Sequence, residues 1–235
     1  MQNIKTIYIK ELKSYFNSPI AYIVIIVFLA IVGWFFTSNL FANNQSTLRG
    51  MFDIIPFVFL FFIPAITMRS FSEEKKQGTI ELLLTKPVSD IELVLGKFFS
   101  AWFLTLFALL PTLIYFIVLI ILGDLDYGSV IGGYLGLILL SAVYVGIGIL
   151  TSSLTENQVI AFISGFLVMF ILFMLGKMLM QVSPALVSAV EYISTDYHLT
   201  NISRGVIDTR DIVYYFSMIF FTIFLTKVSL ESRKW

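Results

Sequence analysis

Hydrophobic positions in this chain fall into long uninterrupted runs, and run length sets what each can form. Between Lys13 and Arg49 there is no charged residue, and the apolar part extends from Ile20 to Phe41. Further runs cover Met51 to Met68, Phe98 to Leu122, Val130 to Leu150, Val159 to Leu175 and Ile212 to Leu230, the last with Lys227 near its end. A helix rises 1.5 Å per residue and satisfies its own backbone, so about 20 such residues cross about 30 Å of hydrocarbon. The pattern predicts an all-α integral membrane protein, residues 1–235 forming one transmembrane domain. Its six transmembrane helices are expected over 20–41, 51–68, 98–122, 130–150, 159–180 and 212–230. The first run is longer than a signal-peptide core and lacks a small-residue cleavage pattern after it, so it reads as a retained helix.

Periodicity changes outside the runs. In residues 1–18, Ile4, Ile7, Tyr8, Leu12, Tyr15 and Phe16 recur at spacings of three and four, with Thr6, Lys10, Lys13 and Ser14 on the other side. This predicts an amphipathic interfacial helix lying in the membrane surface, its apolar face in the acyl boundary and its lysines among headgroups. Pro19 ends it and suits the start of the next helix. Segment 69–97, RSFSEEKKQGTIELLLTKPVSDIELVLGK, packs dense charge of both signs around a small apolar core. Gly78 breaks a first helix there, Thr79 caps a short second one, Lys86-Pro87 stops it, and Ser89 with Glu92 forms a capping-box pattern opening a third. Segment 181–211 is too long for a tight turn, and its apolar stretches Pro184 to Ile193 and Leu199 to Ile202 predict short helices that dip toward the membrane.

Within the spans, Pro56, Pro64 and Pro111 predict kinks. The fourth run carries Gly132, Gly133, Gly136, Ser141, Gly146 and Gly148, a small-residue face suited to close helix contact, within the subunit or across a dimer.

Charge then orients the spans. With the N-terminus inside, that side holds Lys5, Lys10, Lys13, Arg69, Lys75, Lys76, Lys86, Lys97, Lys227, Arg233 and Lys234. The other side holds only Arg49, Lys177, Arg204 and Arg210, so both termini are expected to be cytoplasmic. Composition agrees with the span count: 58% of the 235 residues are hydrophobic and 13% charged, far below the roughly 25% charged of soluble domains. Net charge is zero, which leaves no basic footprint for nucleic acid, and the absence of Cys excludes disulfides and thiolate metal sites.

Chemistry-bearing motifs are mostly missing. Gly96-Lys97 and Gly176-Lys177 lack the upstream glycine and the following Ser or Thr of a phosphate-binding loop. The single histidine, His198, has no second His or Cys nearby, and no GxSxG completes a triad with Asp196. Lys177, near the outer end of the fifth run, is expected to snorkel to the interface. Catalytic, cofactor and metal sites are therefore expected to be absent. A transporter with neither an ATP site nor ionisable groups in mid-membrane must draw its work from a partner, and the charged segment 69–97 is the natural docking point.

These residues resemble the ABC-2 class of ABC transporter permeases. The resemblance rests on the amphipathic N-terminal helix, the six spans, and the stretch from Glu73 through Gly78-Thr79 to Pro87-Val88-Ser89. Leu95-Gly96-Lys97 and Arg204-Gly205-Val206-Ile207-Asp208 add to it. Within the class the chain is most similar to the gliding-motility permease of Bacteroidota. The resemblance implies a non-catalytic subunit of the bacterial inner membrane, partnered by a separate ATPase that holds ATP and Mg and by a second membrane subunit. That subunit would be a copy of this chain or a protein with a large extracytoplasmic domain. It also implies an ATPase-coupling helix made by Glu73, Glu74, Lys75, Gly78, Thr79, Glu81, Leu82, Leu83 and Leu84. The alternative is a membrane scaffold anchoring an extracytoplasmic assembly without moving a substrate.

Overall fold

A computed structural model describes residues 2–43, 47–79, 88–123, 125–178, 184–206 and 208–232. Every regular element among them is helical. In chain order these are α1 (Gln2–Asn17), α2 (Pro19–Asn43), α3 (Arg49–Thr67), α4 (Ser72–Lys76) and α5 (Asp90–Leu109). They continue with α6 (Leu113–Leu122), α7 (Tyr127–Leu154), α8 (Gln158–Lys177), α9 (Pro184–Ile193), α10 (Thr195–Ser203) and α11 (Thr209–Glu231). Six stretches are long and apolar enough to cross a membrane: Ala21–Phe41, Arg49–Lys76, Asp90–Leu122, Tyr127–Leu154, Gln158–Lys177 and Thr209–Glu231.

Short polar side chains set where helices begin. Ser89 accepts from the Glu92 amide at 3.4 Å while Glu92 accepts from the Ser89 amide at 3.2 Å, the reciprocal capping box opening α5. Asp126, Asn157, Ser194 and Asp208 cap α7, α8, α10 and α11 in the simpler way. The prolines divide. α3 runs unbroken through Pro56 and Pro64, whereas Pro111 turns Leu110–Thr112 into a 3-10 segment between α5 and α6.

The bundle is organised around α7, which packs against α3, α5, α8, α10 and α11. Its small-residue face makes this possible, and the contacts lie within the subunit. A Cβ on Gly133 would meet the Phe52 ring of α3 at 2.2 Å, one on Gly148 would meet Thr67 Oγ1 at 2.1 Å, and one on Gly146 would meet Thr222 Oγ1 of α11 at 2.2 Å. Leu199 and Ile202 of α10 fill the hollow over Gly136 and Gly132. Ser141 receives the Trp102 indole N–H from α5 at 3.1 Å.

The α3–α4 corner is tied to the same helix. Ser152 Oγ accepts from the Phe71 and Ser72 amides at 3.0 and 3.1 Å and donates to the Met68 carbonyl at 3.0 Å. Ser152 is fully buried, so Ser152→Ala strands backbone donors where no water replaces the lost acceptor. The expected cost is about 2 kcal/mol in unfolding free energy, measured by SDS titration in mixed micelles. A variant within experimental error of wild type would show that the corner does not depend on this anchor.

The amphipathic face of α1 is not turned wholly into lipid as its periodicity alone suggests. It lies along α5, where a Cβ on Gly96 would come within 2.6 Å of Ile7 Cγ2, and Tyr8 and Phe16 pack edge-on against Phe103 and Phe107. The glycine opens the groove that receives the helix. Lys5, Lys10 and Lys13 remain exposed.

Candidate functional site: a junction of three helices at Lys97

Lys97 lies two turns into α5, which places its side chain between α1 and α4. The residue is 2% exposed. Its Nζ stands 2.9 Å from Glu74 Oε1 on α4 and 3.1 Å from Glu11 Oε1 on α1, and 5.1 Å above the Phe71 ring centroid. One ammonium with three donors thus ties together three elements whose residues are 86 and 23 positions distant in sequence. Neighbouring contacts lock the same corner. The Tyr15 hydroxyl sits 3.4 Å from both the Ile66 carbonyl and Ser70 Oγ, and Asn3 donates to Glu92 at 3.1 Å. Burial pushes the Tyr15 hydroxyl pKa well up, so it stays a donor.

The sequence-predicted coupling residues divide at this junction. Glu74 is turned inward to Lys97, and its Oε2 meets no donor among the described residues. Lys75 is buried. Glu73 is half-buried and accepts from Gln77 Nε2 at 3.3 Å. Gly78 is exposed with φ +67°, the left-handed conformation that ends α4 at no steric cost. The Thr79 hydroxyl donates back to the Glu74 carbonyl at 3.2 Å. Glu81, Leu82, Leu83 and Leu84 lie outside the described residues. Lys76 and Gln77, not among the predicted residues, form the exposed tip with Gly78.

Sequence reading missed Lys97, Glu11 and Tyr15 as parts of the site. The only local signal was a lysine directly beside a charge-free span, which ordinarily reads as an interfacial anchor. Between α1, α2, α3, α4 and α5 lies a partly open cavity of about 570 Å³, lined by the charged residues of the junction and by Val24, Ile66 and Leu104.

A second polar cluster holds down α9 and α10 at the opposite end of the bundle. His198 is buried, with Nδ1 2.6 Å from Asp211 Oδ1 and Nε2 3.1 Å from the Tyr192 carbonyl oxygen. The two ring nitrogens thus join α10 to α11 on one side and to the end of α9 on the other. The carboxylate partner of His198 is therefore Asp211 of α11, and not the sequence neighbour Asp196. Tyr214 stacks on the imidazole at 3.9 Å and donates to the Ile193 carbonyl, and Tyr215 donates to the Thr195 carbonyl.

Asp196 instead pairs with Lys177 at 3.1 Å, so Lys177 braces α8 to α10 and does more than snorkel. Burial pushes the Asp196 carboxyl pKa up, and Lys177 pulls it partly back. A carboxyl raised in the folded state favours folding when protonated, and that contribution is lost as pH rises through its folded-state pKa. Lys177→Met removes the offset. It should therefore lower the thermal midpoint more at about pH 7 than at about pH 4. An equal loss at both would mean the pair is not what braces α10.

Residues 35–226 match the profile of a family described as ABC-2 family transporter protein. No curated protein gives a significant match to the chain.

Proposed function

Given that the chain belongs to the ABC-2 transporter family, whose members are the membrane components of ABC transporters, we propose that it transmits work from a separate ATPase through the Lys97 junction. The observation that supports this reading is the locked geometry of Glu11, Glu74 and Lys97. The charged segment after the second span is not a loose loop at its base. A push on α4 is carried at once to α1 and α5, while Ser152 carries it to α7. Two conformations of such a bundle need differ by only a few kcal/mol for nucleotide-driven closure of a partner to switch them.

In this reading the α4 end is cytoplasmic, in a bacterial inner membrane, and the exposed tip Lys76-Gln77-Gly78 meets the ATPase. Glu74 works inside the subunit and not at its surface. Glu81 and Leu82–Leu84 continue the same contact. The spans pair with a second membrane subunit, identical or not, and α9 and α10 close the outer end of the pathway. A role in gliding motility is the finer reading, and it rests on the chain's similarity within the class to gliding-motility permeases, since the Glu73–Ser89 stretch is shared by other permeases of the class.

Reversing the charge of the tip with Lys76→Glu and Gln77→Glu tests the docking point. The variant should fold and insert, yet fail to co-purify with the ATPase. Co-purification at the wild-type ratio would overturn the assignment, as would labelling of Gln77→Cys by an impermeant reagent from outside intact cells. Spin-label distances between α3 and α5 should also change with nucleotide. A scaffold that moves no substrate would show no change.

A further inference from the structure

We propose that the cavity under α1 is a binding site for a phospholipid whose headgroup ends in a primary ammonium, such as phosphatidylethanolamine, taken from the adjoining leaflet. Its volume of about 570 Å³ lies within the roughly 300–1,000 Å³ of small-molecule sites. Its position straddles the membrane interface. Leu104 lies seven residues beyond Lys97 on α5, so the apolar wall reaches about 10 Å deeper than the charged one. That depth is where a lipid places its glycerol and first methylenes.

Charge selects the headgroup. The lining carries Lys10, Arg69 and Lys97 against Glu11, Glu73 and Glu74, equal in number, which suits a ligand that is itself net neutral. Within that balance Lys97 pairs with Glu11 and Glu74, and Lys10 Nζ stands 3.9 Å from Glu11 Oε1, so two lysines offset two acids and Arg69 and Glu73 are the charges left for a ligand. An ammonium supplies a positive charge and N–H donors to the half-buried Glu73 carboxylate on the lining. Arg69 is exposed on the rim and offers a planar fork to the phosphate. A quaternary choline headgroup has no N–H to donate, and an anionic phosphatidylglycerol brings no cation to Glu73. Both should bind less well.

The site requires only that the spans cross a bilayer, so it stands or falls separately from the ATPase reading. The test is native mass spectrometry of the full chain in mild detergent, titrated with phosphatidylethanolamine, phosphatidylcholine or phosphatidylglycerol of the same acyl chains. One phosphatidylethanolamine should be retained with about tenfold higher affinity than either other lipid. Glu73→Gln leaves Glu11, Glu74 and Lys97 in place and should remove most of that preference. Arg69→Gln, which leaves the Lys97 pairing intact, should weaken retention of phosphatidylethanolamine and phosphatidylcholine alike. Equal retention of all three lipids, or wild-type retention by both variants, would overturn the proposal. Binding of soluble glycerophosphoethanolamine as tight as that of the lipid would make the free headgroup, and not a bilayer lipid, the ligand.

Discussion

Lys97→Ala should be the most damaging single substitution at the junction, costing about 3–5 kcal/mol of stability. The reason is asymmetry. A buried ion cluster contributes little net stability when complete, because desolvation offsets attraction, but removing one member leaves the others unpaired in a poor solvent. Here the lysine faces two carboxylates, at 2.9 and 3.1 Å, so its loss leaves both without their shared cation. Folded domains are stable by about 5–15 kcal/mol, and the variant is expected to accumulate poorly and to unfold early in detergent. The informative companion is the triple variant Glu11→Gln, Glu74→Gln, Lys97→Met, which removes every charge at once. Its stability should return to near wild type, while nucleotide-dependent movement of α1 relative to α4 should not. Normal coupling in the triple variant would show that the cluster is structural only. A stable Lys97→Ala would show that the lysine is not held between the two acids.

Gly132→Ala is expected to cost about 3 kcal/mol, more than the same change at Gly146 or Gly148. The obstruction decides the ranking. At Gly132 an added Cβ would stand 2.1 Å from the Ile202 carbonyl oxygen and 3.2 Å from its carbon, both backbone atoms that no rotamer change can move. α10 as a whole must lift from α7, and the buried contacts of Leu199 and Ile202 go with it. At Gly146 and Gly148 the nearest atoms are threonine hydroxyls, which a second χ1 well can turn away, and the threonine Cβ atoms behind them, at 3.1 and 2.9 Å, need the helices to give by only tenths of an ångström. Limited proteolysis of 184–206 and SDS unfolding report the effect. Equal destabilisation at all three glycines would mean that side chains, not the α10 backbone, set the limit.

Much of this architecture was legible beforehand because a bilayer restricts the answer so severely. A charge-free run of about 20 residues has one stable solution in hydrocarbon, and the six spans follow from that alone. Ser89 and Glu92 announced a helix start because the capping box is local, closing over three residues. Gly132, Gly133, Gly136, Gly146 and Gly148 announced close approach for the same reason. A missing Cβ is a property of the chain.

Partner identity is not such a property. The apolar face of α1 suits lipid and protein equally, and Gly96, with Lys97 beside it, settles the choice by receiving Ile7 and Glu11 from far away in the chain. Which helices meet the glycine face, and that His198 reaches Asp211 and not Asp196, depend on how α10 folds back over α7. The sequence by itself determined what each segment must bury and where each helix begins. The tertiary structure alone decided against what, because hydrophobic burial is non-directional and only the packing of one helix against another turns a charged side chain into a joint.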